Sequence, residues 1–442
     1  MPVRYWPPGT TATEIAERVE TAVRRGRLQP GDLLPAVRAL AERNRVSPTT
    51  VAAAYRELTR RALARGDGRR GTRIAARPPL PSRPTTAVPE GRRDLATGNP
   101  DAALLPDLVP ALAGLGASQR PRRYGDSAEL PELIAWARQQ FSADKLPARD
   151  VAVVSGALDG VERVLGAHLH PGDRVVVEDP GYPPLFDLLA AFGAQPVAVA
   201  VDDSGLVAAG LRTALGSENP AALVVTPRAQ NPTGAAFDRR RVTELRHVLA
   251  ARPDLLLVED DHAGPVAGVA PLTLASRRSR RWAIVRSVAK SLGPDLRVAV
   301  MTGDDETVAR VRGRQQLGPG WVSHLLQELT VVLSTGREAN ARLACAAREY
   351  TRRRRALIAG LTREGISAHG RSGLNVWVPV SDEHAVVTAM GDAGYAVAPG
   401  ARFRIRSAPA VRITIATLET FEAGDVAAAI ATALRPRGGR ST

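Results

Sequence analysis

The apolar and polar positions change their period along the chain. From Glu14 to Arg25 the apolar residues Ile15, Val19, Ala22 and Val23 recur at helical spacing, and the segment stops at Gly26, a helix C-terminal signal. The run LQPGDLLPAVRALAERNRV then predicts a Pro-Gly turn and a second short helix from Pro35. Ser47 follows as N-cap and Pro48 as the first residue of a third helix, PTTVAAAYRELTRRAL. Three short helices with tight turns form a helix-turn-helix unit. After them, ARGDGRRGTRIAAR predicts two short strands joined by the turn Gly66-Asp67-Gly68, with Arg69 and Arg70 at its tip. This is a basic wing, and the unit spans residues 1–75.

Residues 76–93, ARPPLPSRPTTAVPEGRR, show no apolar period and many prolines, the pattern of a semi-extended linker. Beyond it, from 94 to about 435, the apolar runs VAVVSG, DRVVVEDPGY, PVAVAV, ALVVTP, LLLVEDD and AIVRS alternate with helical segments. Such runs predict an α/β domain with a mostly parallel sheet covered by helices on both faces. We expect a large lobe over about 94–335 and a small C-terminal lobe over about 336–435. Ligands in such sheets bind outside the carboxyl ends of the strands, which is where the polar motifs fall.

The chain has 442 residues, 44% of them hydrophobic, enough for two or more cores. Its net charge is +15, and residues 1–75 hold 15 Arg against 7 Asp or Glu. A net +8 in about a sixth of the length is a nucleic-acid footprint, although an arginine-rich solvated surface would give the same charge, so motifs must decide. The single Cys345 excludes an internal disulfide and the scattered histidines show no metal-ligand spacing, so the expectation is a reduced cytosolic chain without a metal site. MPVRYWPPGTT lacks a signal-peptide stretch, and the longest apolar region, Leu185 to Val201, is broken by Asp187, Gly193 and Gln195. Neither secretion nor membrane spanning is expected.

Lys145 and Lys290 are the only lysines in a chain with 60 Lys and Arg together. Arginine serves wherever a surface cation suffices, so a lysine invites a chemical reason: its amine can be desolvated, deprotonated and made nucleophilic. Lys145, beside FSAD, reads as an ordinary exposed cation. Lys290 stands in SVAKSLGPDLR, where Ser287 and Arg297 are partners for a phosphate dianion and Lys290 is an amine for a Schiff base.

Four further motifs suit an aldehyde cofactor that carries a phosphate. SGALDGVERVL places the backbone N–H groups of Gly156, Ala157 and Leu158 at a helix start, where they suit a phosphate or simply begin a helix. EDPGYPP offers Tyr182 as a ring to stack on a planar heterocycle, or as a packing aromatic. TPRAQNPTG offers the amide of Asn231 for a phenolic oxygen, or a polar turn. LLLVEDDHAG ends a strand on Asp260, a partner for a pyridinium nitrogen or a cap.

Two resemblances follow from these residues. GRLQPGDLLPAVRALAERNRVSPTTVAAAYRELTRRAL with GRRGTRI resembles the winged helix of the GntR regulators. That resemblance implies DNA contacts by Arg38, Ser47, Thr49, Thr50, Gly68 and Arg69, with Pro48 at a place where relatives often carry a base-reading Arg. The ordered motifs from Ser155 to Arg297 resemble fold-type I aminotransferases, which implies pyridoxal 5′-phosphate as cofactor. His262 stands where relatives usually have Tyr; an imidazole is able to donate to the phenolic oxygen but titrates near neutrality. The fusion resembles the MocR-type regulators. It implies a homodimer, a partner-facing Tyr124 in YGDSAELPELIAWARQ, and Arg412 in AVRITIAT as the site for a substrate α-carboxylate. The expected function is a cytoplasmic, nucleoid-associated regulator of a double-stranded DNA operator that senses an amine, an amino acid or the cofactor itself. A working aminotransferase with a DNA-binding head is the alternative, so enzymatic activity stays open.

Overall fold

The computed structural model describes residues 5–24, 27–60, 63–66, 71–75, 88–115 and 122–435. The chain forms two compact units. In the N-terminal one, α1 (Ala12–Arg24), α2 (Val37–Asn44) and α3 (Pro48–Arg60) precede an antiparallel pair, β1 (Ala64–Gly66) and β2 (Thr72–Ile74). Ile15, Val19, Leu28, Leu34, Leu40, Val51, Leu58 and Ile74 close its core. The tight α2–α3 joint is made by Arg45, whose left-handed φ of 55° ends α2. Tyr55 then ties α3 to the entry of α2 by donating its hydroxyl to the Pro35 carbonyl at 2.8 Å. The wing tip, with Gly68 and Arg69, lies outside the described residues.

The large unit is built on an eight-stranded sheet and a four-stranded one. Its strands are β3 (Arg93–Leu95), β4 (Asp150–Val154), β5 (Arg174–Asp179), β6 (Gln195–Asp202), β7 (Gly205–Leu206), β8 (Ala222–Val225), β9 (Leu256–Asp261), β10 (Trp282–Ser287), β11 (Ala299–Gly303), β12 (Asn375–Pro379), β13 (Tyr395–Pro399) and β14 (Ala410–Thr414). The large sheet runs β4-β11-β10-β9-β8-β5-β6-β7. The stretch β10-β9-β8-β5 is parallel, β11 pairs antiparallel with β10, and β4 pairs antiparallel with β11. The central strands are apolar because helices cover both faces. Their carboxyl ends carry Asp179, Asp260 and Ser287 to one edge.

Residues 76–87 of the expected linker lie outside the described residues, while its last residue, Arg93, belongs with the small lobe. Arg93 opens β3, which pairs parallel with β13 in the small sheet β12-β14-β13-β3, so residues 93–95 join a layer otherwise built after residue 336. Arg93 also donates to Glu422 at 3.1 Å. In a three-residue strand reading Arg-Asp-Leu only one position is apolar, so its period is invisible and a partner 302 residues away in register sets it. Among the described residues, no helix is long and apolar enough to cross a membrane.

Candidate cofactor site and DNA-binding surface

The strand ends bring the motif residues to one place. β4 enters the helix Ala157–His168 through Ser155 and Gly156. Gly156 has φ of 98°, and a methyl group there would lie 2.6 Å from Nη2 of Arg297, so glycine keeps this corner open. Arg297, exposed and itself left-handed at φ 48°, donates Nη2 to the Ser155 carbonyl at 3.1 Å. Ser287 ends β10 and accepts the Ala289 N–H at 3.1 Å, one residue before Lys290 in the short helix Ala289–Leu292. A guanidinium, a helix N-terminus and a hydroxyl thus frame a corner suited to a dianion.

Lys290 donates Nζ to the Gly98 carbonyl at 2.6 Å. Desolvation, then the charge of Arg412, pushes its amine down to about 8. Desolvation, then the Asp261 carboxylate, pushes Asp260 up to about 7, and its Oδ1 is shielded from solvent without a hydrogen-bond partner among the described residues. Tyr182, Leu158, Glu178 and Thr226 line the same cavity. Asp261 points elsewhere, into a buried cluster with Arg228 at 2.7 Å and Arg286 at 2.7 Å, which holds the strand end rigid. His262 shares a hydrogen bond with the Ala229 carbonyl through Nε2 at 2.8 Å. Asn231 accepts Nη1 of Arg412 at 3.0 Å, and Arg412 also donates to the Ala96 carbonyl and stacks 4.7 Å over the Phe403 ring.

A pyridine aldehyde phosphate fits these groups. The unpartnered Asp260 oxygen suits a ring N–H, Lys290 an aldehyde, and the Gly156–Arg297 corner a phosphate. The chain matches two family models, "Aminotransferase class I and II" over residues 93–430 and "Bacterial regulatory proteins, gntR family" over residues 11–74. It is 38% identical over 432 residues to the vitamin B6 salvage pathway transcriptional repressor PtsJ of Salmonella typhimurium, covering 96% of this chain and 99% of that one. The chain belongs to the MocR-type GntR regulators. Its large unit has the fold of the Pyrococcus horikoshii kynurenine aminotransferase, solved with PMP (TM-score 0.71, 19% identity, 78% of this chain and 91% of that one). It matches equally LysN of Thermus thermophilus, an alpha-aminoadipate aminotransferase complexed with N-(5′-phosphopyridoxyl)-L-leucine (TM-score 0.70, 22% identity, 78% and 92%). This MocR-type regulator therefore carries a fold-type I aminotransferase domain whose cofactor is pyridoxal 5′-phosphate, and its GntR head binds DNA operators.

In the head of this regulator, Arg38 is exposed on α2, and Ser47 and Thr49 are exposed at the start of α3, with Thr50 half-buried. The Ser47 hydroxyl caps α3 by accepting the Thr50 N–H at 3.1 Å and lies 2.6 Å and 2.8 Å from the Thr49 and Thr50 hydroxyls. The cap is a structural role in its own right. Ser47→Ala should cost about 1 kcal/mol of local stability. Faster amide exchange across residues 48–60 of the full-length protein reports it, and unchanged exchange would show that the cap contributes nothing.

Tyr124 is not brought to Lys290 within this chain; it is 95% exposed, with its ring edge-on to Trp321 at 5.8 Å. Other groups at the site stand in or beside the quoted motifs but have no role assigned to them by the sequence. Glu178, raised to about 8 chiefly by burial, is held by Gln230 at 3.3 Å. Asp179 accepts the N–H groups of Ile405, Arg406 and Ser407 at 2.8 to 2.9 Å and so clasps the segment after Phe403 to the site. Its place in EDPGY beside Tyr182 was the available signal. The Gly98 carbonyl had none, because any residue offers one.

Proposed function

We propose that this regulator reads a small amine or amino acid at Lys290 and converts the reading into a change of operator affinity. The observation that carries it is Arg412, a buried guanidinium beside Lys290 with neutral partners and no carboxylate within ion-pair distance among the described residues. Bound pyridoxal 5′-phosphate supplies an electrophilic carbon that amines attack and a ring that withdraws electrons from it. Lys290 supplies the competing amine, with a neutral fraction near physiological pH because its proton is held weakly. Asp260 holds the ring nitrogen, Tyr182 covers the ring, and Ser287, Arg297 and the N–H groups of Gly156, Ala157 and Leu158 hold the phosphate. Asn231 orients the phenolic oxygen, and Arg412 takes the carboxylate of an amino acid. Tyr124 serves the partner's site in a homodimer, and the protein works on cytoplasmic, nucleoid DNA. These residues are sufficient for a transamination half-reaction, which here serves as recognition. A second reading, in which the cofactor itself is the effector, is favoured by the name of the vitamin B6 salvage relative.

On DNA, Arg38, Ser47, Thr49, Thr50, Gly68 and Arg69 make the contacts. Operator fragments selected from genomic DNA by the purified protein supply the probe. Arg38→Ala should weaken retention by about 1 kcal/mol at fixed salt, whereas Arg277→Ala on the large unit, equally exposed, should not. Equal losses from both substitutions would place the DNA contacts outside the head.

A further inference from the structure

Among the described residues His262 has one hydrogen-bond partner, the Ala229 carbonyl, and that partner fixes its chemistry. A carbonyl oxygen accepts and never donates, so the 2.8 Å contact with Ala229 requires the hydrogen on Nε2. The Ala229 carbonyl has little freedom to turn away. Ala229 sits in the left-handed region at φ 54°, its N–H is held by Ser372 Oγ at 2.7 Å, and any side chain at Gly373 would collide with its methyl group. The imidazole is also neutral. Desolvation first, then the charge of Lys290, and more weakly Arg228, push it down to about 4 against the opposing Ala229 carbonyl and Asp261. A neutral imidazole carries one hydrogen, so Nδ1 is left with a bare lone pair. Nδ1 of His262 is therefore free to accept, where the sequence alone left donation open.

Asn231 has the opposite polarity. Its Oδ1 is taken by Arg412, which leaves the two hydrogens of Nδ2 to donate. On a pyridoxal ring the hydroxyl is next to the aldehyde carbon. With that carbon at Lys290 and the phosphate at the Gly156–Arg297 corner, the hydroxyl meets the groups that crowd Lys290 elsewhere, and these are His262 and the Arg412–Asn231 pair.

We propose that His262 is a positioning residue that accepts, through Nδ1, the hydrogen of the cofactor's phenolic hydroxyl while Asn231 donates to the same oxygen, so that the bound cofactor keeps its phenol protonated. A tyrosine at this position would donate instead and favour the phenolate. The inference rests on the cofactor being linked at Lys290, which borohydride reduction of the unmutated protein followed by peptide mapping tests separately.

The full-length protein loaded with pyridoxal 5′-phosphate is the material for the test. Its absorption at neutral pH should be dominated by the near-ultraviolet band of the phenol form. His262→Tyr should raise the ratio of visible to near-ultraviolet absorbance severalfold at the same pH and cofactor content. His262→Phe, which removes the acceptor, should raise it as well. A merely structural role for His262 would change cofactor content without moving this ratio. Nitrogen-15 shifts of the imidazoles in the unmutated loaded protein give an answer that needs no stable variant at this position. One ring with Nε2 protonated, Nδ1 unprotonated and Nδ1 shifted on cofactor loading is the expected result. A ratio that is the same in wild type and His262→Phe, or an Nδ1-protonated ring at neutral pH in the loaded protein, overturns the proposal.

Discussion

Replacing Lys290 by alanine should abolish the covalent, borohydride-reducible attachment of pyridoxal 5′-phosphate and leave the large unit folded. In the wild type, reduction should place one pyridoxyl group on the peptide that contains Lys290, and in Lys290→Ala that label should vanish completely. The chain provides its own control, because Lys145 is the only other lysine. Lys145 is exposed, with φ of 58°, just past the helix Pro131–Ala143. Burial pushes Lys290 down to about 8, which leaves a neutral, nucleophilic fraction of it near neutral pH. The fold should persist because the substitution removes one hydrogen bond, to the Gly98 carbonyl, while Ser291 and Leu292 carry the buried packing of the short helix. Removing a desolvated amine costs little when its partner is the carbonyl of a half-buried glycine within reach of water. Circular dichroism and thermal unfolding should match the wild type. A pyridoxyl label on Lys145, or one persisting in Lys290→Ala, would show that Lys290 is not the point of attachment.

Much of this was legible because the chemistry rides on strands buried on both faces. VAVVSG, LLLVEDD and AIVRS are continuous apolar runs, and each delivers its polar residue at the end of a buried strand, where burial forces the backbone and leaves the last side chain free for a ligand. Ser47 was legible as a cap for an equally local reason, since the cap bond spans three residues. What was not legible depends on groups far apart in the chain. β3 needs Tyr395 to Val397 for its register, and the Asp179 clasp needs a loop more than 220 residues later. β11, LRVAVMTG by sequence, was passed over although it inserts between β4 and β10 and makes that edge of the sheet antiparallel. The polarity of His262 and Asn231 is likewise tertiary. A histidine in a sequence has two nitrogens of equal claim, and only the folded chain brings the Ala229 carbonyl to Nε2.

Arg412→Ala should abolish the response of DNA binding to a carboxylate-bearing amine while leaving cofactor attachment intact. Arg412 lies at the centre of β14, flanked in register by Trp377 and Ala398, so its backbone is fixed by strands on both sides. Its guanidinium is buried among neutral acceptors, the Asn231 amide and the Ala96 carbonyl, and over the Phe403 ring. Burial, and then the charge of Arg402, push it down to about 10 against the weaker pull of Tyr182 and Asp94, the mark of a desolvated cation with no carboxylate at ion-pair distance among the described residues. A ligand carboxylate is the group that completes it, and a paired guanidinium is both stronger and more directional than the present neutral contacts. Taking that carboxylate would displace the Asn231 contact and bind β14 of the small sheet to a ligand held at Lys290. The ligand then stabilises one arrangement of the lobes over another, the condition for a regulatory shift. A coupling of about 1 to 3 kcal/mol corresponds to a roughly 5- to 150-fold change in operator affinity. The measurement titrates amino acids, their decarboxylated amines and pyridoxal 5′-phosphate into wild type and Arg412→Ala while operator binding and the cofactor spectrum are followed together. Amino acids should change both signals in the wild type, and Arg412→Ala should respond to them no better than to the decarboxylated amines. If the variant answers amino acids as the wild type does, Arg412 is not the carboxylate site. If instead only pyridoxal 5′-phosphate alters DNA binding, in wild type and variant alike, the cofactor is itself the signal and the Arg412 pocket is inherited structure.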